Sequence, residues 1–323
     1  MPKESFEQFV KRQEKKLDKA EKMVKEVEKR LKTEEAEKKI EEYIEKSVKE
    51  LKKLWKENED KIRKKEYGSE IFSFFSSLPL PEIPSFLLER TSNKFLNKFL
   101  KEFDWKKFEG KEDFETYLGL FLSAFLNKNI ENYVLSQKRK GIKEENIKPI
   151  EVHLKVKELP IRLDYLGYQN PKKLHLIIKG DCEHGTGEYM QGGKIIVEGN
   201  CGNWAGAIMQ GGKIVIEGNC GDSIGYEMKK GEIIVEGNCG NWIGEYMQGG
   251  KIIVERNCRR WTGKNMQGGE LNIKGEVKSF DKSAFSSNNK GTIIWKNTKT
   301  WENGNWTKEG KEMWEKGEIP VEG

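Results

Sequence analysis

The stretch GNCGNWAGAIMQGGKIVIEGNC, residues 199–220, begins and ends with the same three residues, Gly-Asn-Cys. Its glycines and two cysteines alone suit a phosphate-binding loop or a metal site. The same letters, however, recur with a period of 19 residues from Leu176 onwards. The glycines of one phase are Gly180, Gly199, Gly218, Gly237 and Gly275, with Arg256 in place of the missing member. Self-similarity at a fixed period of this length indicates a solenoid.

Each repeat contains one clear strand, such as Lys194–Glu198, between glycine-rich turns. This many glycines exclude a helical repeat, whereas stacked coils with parallel strands about 4.8 Å apart accommodate them. The sequence therefore predicts a right-handed parallel β-helix with 19-residue coils. Together with the charged N-terminal part, the fold class is α plus β in separate domains: a helical region with a long charged helix, then the β-helix.

Two rows of identical residues are predicted to run along the solenoid. The cysteines occupy a single phase, which places one thiol on each coil: Cys182, Cys201, Cys220, Cys239 and Cys258. A line of thiols does not converge tetrahedrally as zinc requires, so we interpret it as an inert interior ladder. The asparagines that precede them should stack their side-chain amides from coil to coil: Asn200, Asn219, Asn238 and Asn257.

A third row is apolar but is predicted to lie outside the core. Five apolar residues lie between the inward positions of successive strands and should face outward: Ile177, Ile196, Val215, Ile234 and Ile253. At the coil spacing, this ridge is about 20 Å long. An exposed apolar ridge marks a contact surface. We expect a protein partner or self-association there, with the chain's own N-terminal domain as the favoured cover of the ridge.

The remainder divides the chain of 323 residues into four predicted parts. Residues 1–67 form a long charged helix or a helical hairpin, because Val10, Leu17, Val24 and Leu31 recur every seven residues. Residues 68–148 form a small helical domain, 149–296 the β-helix, and 297–323 a Trp-rich cap. In this last part Asn303-Gly304 predicts a two-residue hairpin turn with Trp301 opposite Trp306.

Charge and hydropathy disfavour two classes of partner. The net charge of +6 is modest for a nucleic-acid-binding protein, and no apolar run reaches the 20 or so residues of a membrane span. The segment IFSFFSSLPLPEIPSFLL, residues 71–88, leaves a membrane-surface role as an alternative to packing. The N-terminus has no signal-peptide pattern, so we expect a cytoplasmic location.

Candidate catalytic groups are sparse. His184 lies beside Asp181 and Glu183, the nearest approach to an acid–base or metal cluster. Its equivalents in later coils are Asn203, Asp222, Asn241 and Arg260, so the position takes polar residues in general. We predict no catalytic, cofactor-binding or metal-binding residue and no cofactor.

The unit GNWIGEYMQGGKIIVE, Gly240–Glu255, resembles the glycine-rich β-helix (GXGXG) of the glutamate synthase C-terminal domain and that of formylmethanofuran dehydrogenase, where it forms one of the subunits. Matching residues are Gly244, Met247, Gly249-Gly250 and the apolar run 252–254, and the resemblance spans residues 174–276. It implies a scaffold domain without catalytic residues of its own. We therefore expect a non-enzymatic scaffold or interaction module, or alternatively a non-catalytic subunit of a redox enzyme complex of either kind. The third hypothesis is an enzyme, or a protein that binds nucleic acids or membrane surfaces.

Overall fold

A computed structural model of the chain describes residues 41–42, 44–46, 48–50, 52–54, 56–58, 68–78, 80, 96–102 and 114–322. The heptad segment up to residue 40 lies outside them, and the four-part division stays a prediction. The helices and strands are α1 (Gly68–Ser77), α2 (Phe114–Arg139), β1 (Ile150–Lys155), β2 (Leu174–Lys179), β3 (Lys194–Val197), β4 (Lys213–Ile216), β5 (Glu232–Val235), β6 (Lys251–Val254), β7 (Glu270–Ile273), β8 (Phe280–Asp281), β9 (Thr292–Trp295), β10 (Thr298–Glu302), β11 (Asn305–Trp306), α3 (Lys308–Glu315) and β12 (Val321–Glu322).

Strands β1–β7 and β9 stack in chain order as parallel neighbours in one sheet. From β2 to β7 the paired residues are 19 apart, as in Ile195 with Ile214. The first and last steps are longer, since Ile150 pairs with Leu174 and Leu271 with Ile293. The predicted parallel β-helix with 19-residue coils is confirmed over about six turns.

The solenoid interior is filled by the apolar positions that alternate along each strand. From β3 to β7 the strands share one pattern, in which the second and fourth residues are buried and the first and third are half-buried. The repeated methionines lie in the same core: Met190, Met209, Met228, Met247 and Met266. One continuous cluster of buried residues joins this core to the helical region.

The turns opposite the strands use left-handed backbone at alternate residues. In one coil Trp204, Gly206 and Ile208 have φ values of 59°, 66° and 53°. Glycine adopts this region freely, but tryptophan and isoleucine do so only under constraint. Here the constraint comes from the next coil, because the Trp204 and Ile208 N–H groups donate to the carbonyls of Asp222 and Tyr226, at 2.9 and 2.7 Å.

Helix α2 covers the first coil. The Ser123 hydroxyl donates to the Tyr165 carbonyl at 2.9 Å and accepts the Gly167 N–H at 3.0 Å. The Asn127 amide donates to the Tyr168 and Gln169 carbonyls. The helix approaches so closely that a Cβ on Gly119 would lie 1.7 Å from the Asp164 carbonyl oxygen. Side chains of α2 thus form hydrogen bonds with backbone groups of the first coil. In later coils the N–H groups equivalent to that of Gly167 bond to the coil before them.

The outer edge of β1 is bonded by another helical segment. Residues 96–101 are helical, and so is every described residue of 41–58. The Asn97 side chain accepts the Lys155 N–H at 2.8 Å and donates to the His153 carbonyl at 3.3 Å. The two segments are joined by ion pairs of Lys98 with Glu45 and of Lys52 with Glu102. The helical N-terminal region therefore packs at the start of the solenoid.

At its other end the sheet continues as an antiparallel hairpin. Strand β10 pairs with β9, and β11 pairs with β10. Trp301 lies opposite Trp306, which confirms the hairpin predicted at Asn303-Gly304. The aromatic rings of this end form one cluster, made by Phe280, Phe285, Trp295, Trp301, Trp306 and Trp314.

Candidate interaction surface

The predicted ridge lies along the outer face of the main sheet. Its five members are direct neighbours in the strand registers, from Ile177 in β2 to Ile253 in β6. Each is half-buried, as an outward side chain between two neighbouring strands should be. The row is polar at His153, which pairs with Ile177, and at Asn272, which pairs with Ile253 on one side and with Ile294 of β9 on the other. We call these five residues the apolar ridge.

Two charged rows flank the apolar ridge on the same face. On one side run His175, Lys194, Lys213, Glu232, Lys251 and Glu270. On the other side run Lys179, Glu198, Glu217, Glu236, Glu255 and Lys274. Ion pairs link neighbouring coils within each row, such as Lys213 with Glu232 at 2.6 Å and Lys274 with Glu255 at 2.6 Å. The face therefore presents a mainly basic row, an apolar row and a mainly acidic row.

The asparagine row is an unbroken series of hydrogen bonds. Each side-chain oxygen accepts the backbone N–H of the equivalent residue in the next coil, as Asn200 does from Asn219 at 2.8 Å. The series begins at Asp181, which accepts from Asn200, and ends at Glu276, whose N–H donates to Asn257. These side chains therefore serve the stacking of the coils.

A second polar row runs through His184. Asp164, His184, Asn203, Asp222 and Asn241 each accept the backbone N–H of the next member of the row, and the last donor is Arg260. His184 uses Nδ1 for this bond, at 3.1 Å from the Asn203 nitrogen. The neighbouring carboxylates of Asp181 and Glu183 pair instead with Arg162, at 3.1 and 3.7 Å. The acidic neighbours and the imidazole therefore have separate partners.

The cysteine row lies inside the solenoid. All five thiols are free and buried. The backbones of Cys201 and Cys220 pair as an isolated parallel β-bridge between adjacent coils. The pKa values of Cys220 and Cys258 lie well above that of a free thiol. The larger cause is burial, and the smaller is hydrogen bonding with adjacent thiols of the row. These two sulfurs are consequently protonated and poor nucleophiles at neutral pH.

Glu188 is a feature that the sequence analysis missed. Its carboxylate is largely buried beside Tyr168 and Tyr189, whose rings meet edge to face at 5.5 Å. Burial raises the pKa of Glu188 to about 7. The equivalent residues of later coils are Ala207, Tyr226, Glu245 and Lys264, so the repeat gave no consistent signal. The only advance sign was the crowding of tyrosines around it, at Tyr165, Tyr168 and Tyr189.

A small cleft of about 100 Å³ lies where α1 and α2 meet the first coils, lined in part by Phe72, Asn127, Gln169 and Gln191. No group of three or more His, Cys, Asp and Glu side chains in the described part of the chain could hold a metal ion. None of the helices among the described residues is long and apolar enough to cross a membrane. Within the segment 71–88, the described residues Ile71, Phe72, Phe75 and Leu80 are buried in the helical core.

Residues 166–310 match the family model of the GXGXG motif. The matched region contains β2–β11, so the resemblance of the repeat to a GXGXG β-helix is confirmed. No curated protein matches the chain.

Proposed function

We propose that this protein is a non-enzymatic scaffold whose solenoid presents the apolar ridge to another protein. The observation that carries the proposal is the outer sheet face, where five aligned apolar side chains run between two charged rows. A stripe of this kind, rimmed by polar residues, is typical of protein contact surfaces.

The polar rows support this function because their side chains form hydrogen bonds that hold one coil on the next. Backbone N–H groups of adjacent coils occupy the acceptors of Asn200, Asn219, Asn238 and Asn257, and also those of the row through His184. Side chains committed in this way hold the coils in register. They favour a rigid support over a catalytic centre.

A second candidate is a non-catalytic subunit of a redox enzyme complex. It is favoured by the GXGXG match, because this repeat resembles domains of glutamate synthase and of formylmethanofuran dehydrogenase. Under both candidates we place the protein in the cytoplasm, where a reducing setting keeps the five thiols free.

The test is purification of the tagged full-length chain from its native cells after nuclease treatment, with mass spectrometry of what accompanies it. Redox-enzyme subunits in a fixed ratio would make the protein an accessory subunit, and another protein in a fixed ratio would support the scaffold. Ile234→Lys, in the middle of the apolar ridge, should remove that partner. Leu135→Lys should retain it, because Leu135 is an exposed apolar residue that belongs to α2 and not to the sheet. A chain that neither binds a protein nor self-associates would contradict both candidates.

A further inference from the structure

We propose that the partner of the apolar ridge is a second copy of this chain, packed face to face about a twofold axis parallel to the solenoid axis. This inference rests on the proposed function, since it names the protein that the ridge contacts. In this dimer both solenoids run in the same direction and both helical regions lie at the same end.

The repeat geometry makes this orientation self-complementary. Rotation by half a turn about an axis that runs above the ridge leaves each coil at its own height. Every ridge residue then meets its own counterpart, so that Ile234 faces Ile234 of the second copy. The same rotation exchanges the two flanking rows, and the basic row of one copy faces the acidic row of the other. Such an interface is isologous, and each contact across it occurs twice.

The charges fit this arrangement coil by coil. Four of the six facing pairs have opposite signs: Lys194 with Glu198, Lys213 with Glu217, Lys251 with Glu255, and Glu270 with Lys274. The sign of both rows inverts together in the last coil, at Glu270 and Lys274. The exceptions are His175 with Lys179 and Glu232 with Glu236, and Glu232 is already neutralised by Lys213 at 2.6 Å.

The opposite orientation brings like charges together. If the twofold axis lay along the strands, each row would face itself in reverse order. Four of the six kinds of facing pair would then have like signs: Lys179 with Lys274, Glu198 with Glu255, Glu217 with Glu236, and Lys194 with Lys251. Like charges held opposite one another are destabilising and select against an orientation. Charge complementarity therefore favours the parallel pair of solenoids.

Two charges in the middle of the face also point to a partner. Among the described residues, the charges of these two rows that take part in no ion pair are Lys194, Glu217 and Glu236, although neighbours in their rows do. In the parallel pair, Lys194 lies opposite Glu198, and Glu217 lies opposite Lys213, which also pairs with Glu232; Glu236 lies opposite Glu232. Lys194 and Glu217 would then gain the opposite charge that they lack within one chain.

The experiment measures the mass of the full-length chain by analytical ultracentrifugation at high micromolar concentration. The wild type should be a dimer. Ile234→Lys and Ile234→Glu should each be monomeric, because two like charges would face each other across the axis. An equimolar mixture of the two variants should recover the dimer, because the lysine of one copy then faces the glutamate of the other. Leu135→Lys is the matched control and should remain a dimer.

Circular dichroism establishes that the variants fold, and the row already accommodates polar residues at His153 and Asn272. A monomeric wild type, a dimer that persists in Ile234→Lys, or a mixture that stays monomeric would overturn the proposal. If the wild type were monomeric while Ile234→Lys still removed a different protein partner, the proposed function would stand and this inference would fall.

Discussion

Both ends of the solenoid are covered by other parts of the chain, but by different kinds of interaction. At the N-terminal end, polar side chains of a helix bond the open backbone of the first coil, as Ser123 and Asn127 do. At the C-terminal end, the sheet turns back on itself through β10 and β11, and stacked aromatic rings cover the core. Both devices protect an edge that would otherwise pair with another chain.

The difference teaches where each end is vulnerable. The polar end depends on a few hydrogen bonds to groups that have lost contact with water, so single unsatisfied groups should weaken it. The aromatic end depends on buried area and packing, so truncation of a large ring should damage it more. The four predictions below test this contrast, from the largest expected effect to the smallest.

Trp301→Ala should produce the largest loss. The ring is 3% exposed, donates from Nε1 to the Asn289 carbonyl at 3.1 Å, and packs on Phe285 and Trp306. Removing a buried aromatic ring costs about 3–5 kcal/mol of unfolding free energy. Urea unfolding measures the change, and Trp314→Ala, whose ring is 44% exposed, should cost far less. Equal losses in the two variants would contradict the aromatic core of this end.

Glu188→Gln should make the first coils more stable at alkaline pH. Because burial raises the pKa of Glu188 from 4.5 to about 7, the folded state retains a proton that the unfolded chain has released. Wild-type stability should therefore fall as the pH rises from about 4.5 to about 7 and then level off. The glutamine remains neutral, so the variant should be more stable near pH 8 by up to about 3 kcal/mol.

The measurement for Glu188 is urea unfolding across this pH range. Glu245→Gln is the matched control, since Glu245 occupies the equivalent position in a later coil but pairs with Lys264 at 2.9 Å. The control should gain nothing at alkaline pH. An unchanged pH dependence in Glu188→Gln would show that another group causes it.

Ser123→Ala should weaken the polar end specifically. The change removes the hydroxyl that accepts the buried Gly167 N–H at 3.0 Å, and a buried unsatisfied group costs about 1–3 kcal/mol. Hydrogen exchange should show faster exchange of the Gly167 amide and little change around Trp301. Glu131→Ala, an exposed change on the same helix, is the control. Uniform loss of protection at both ends would contradict independent capping.

Asn238→Ala should have the smallest effect. Its side chain bonds Asn219 and the Asn257 N–H, yet the residue is exposed and water can replace these bonds. We expect a loss below about 1 kcal/mol, measured by thermal unfolding beside Glu236→Ala, an exposed change in the same coil. A loss as large as that of Ser123→Ala would mean that the ladder, and not the caps, limits stability.

The architecture of the solenoid was predictable because the same 19-residue pattern of residues repeats in coil after coil. The 19-residue period by itself places Ile195, Ile214 and Ile233 in register, and these residues pair so in strands β3, β4 and β5. The hairpin at Asn303-Gly304 was predictable for a local reason, since these two residues readily take positive φ.

What escaped prediction depends on contacts between distant residues. The left-handed backbone of Trp204 and Ile208 is imposed by carbonyls of the next coil, and neither residue type indicates it. Ser123 and Asn127 look like ordinary helix residues, because their partners at 165–169 lie about 40 residues away along the chain. Glu188 acquires its raised pKa only when folding buries its carboxyl group.

The identical register of the inner coils makes the length of this protein adjustable in whole steps. Duplicating one 19-residue unit between β4 and β5 would present the same strand, turns and rows to both neighbours. Neither end would be altered, and the distance between them would grow by about 4.8 Å. The molecule is in this sense a spacer of countable length, because each added or removed coil changes the distance between its ends by one fixed step.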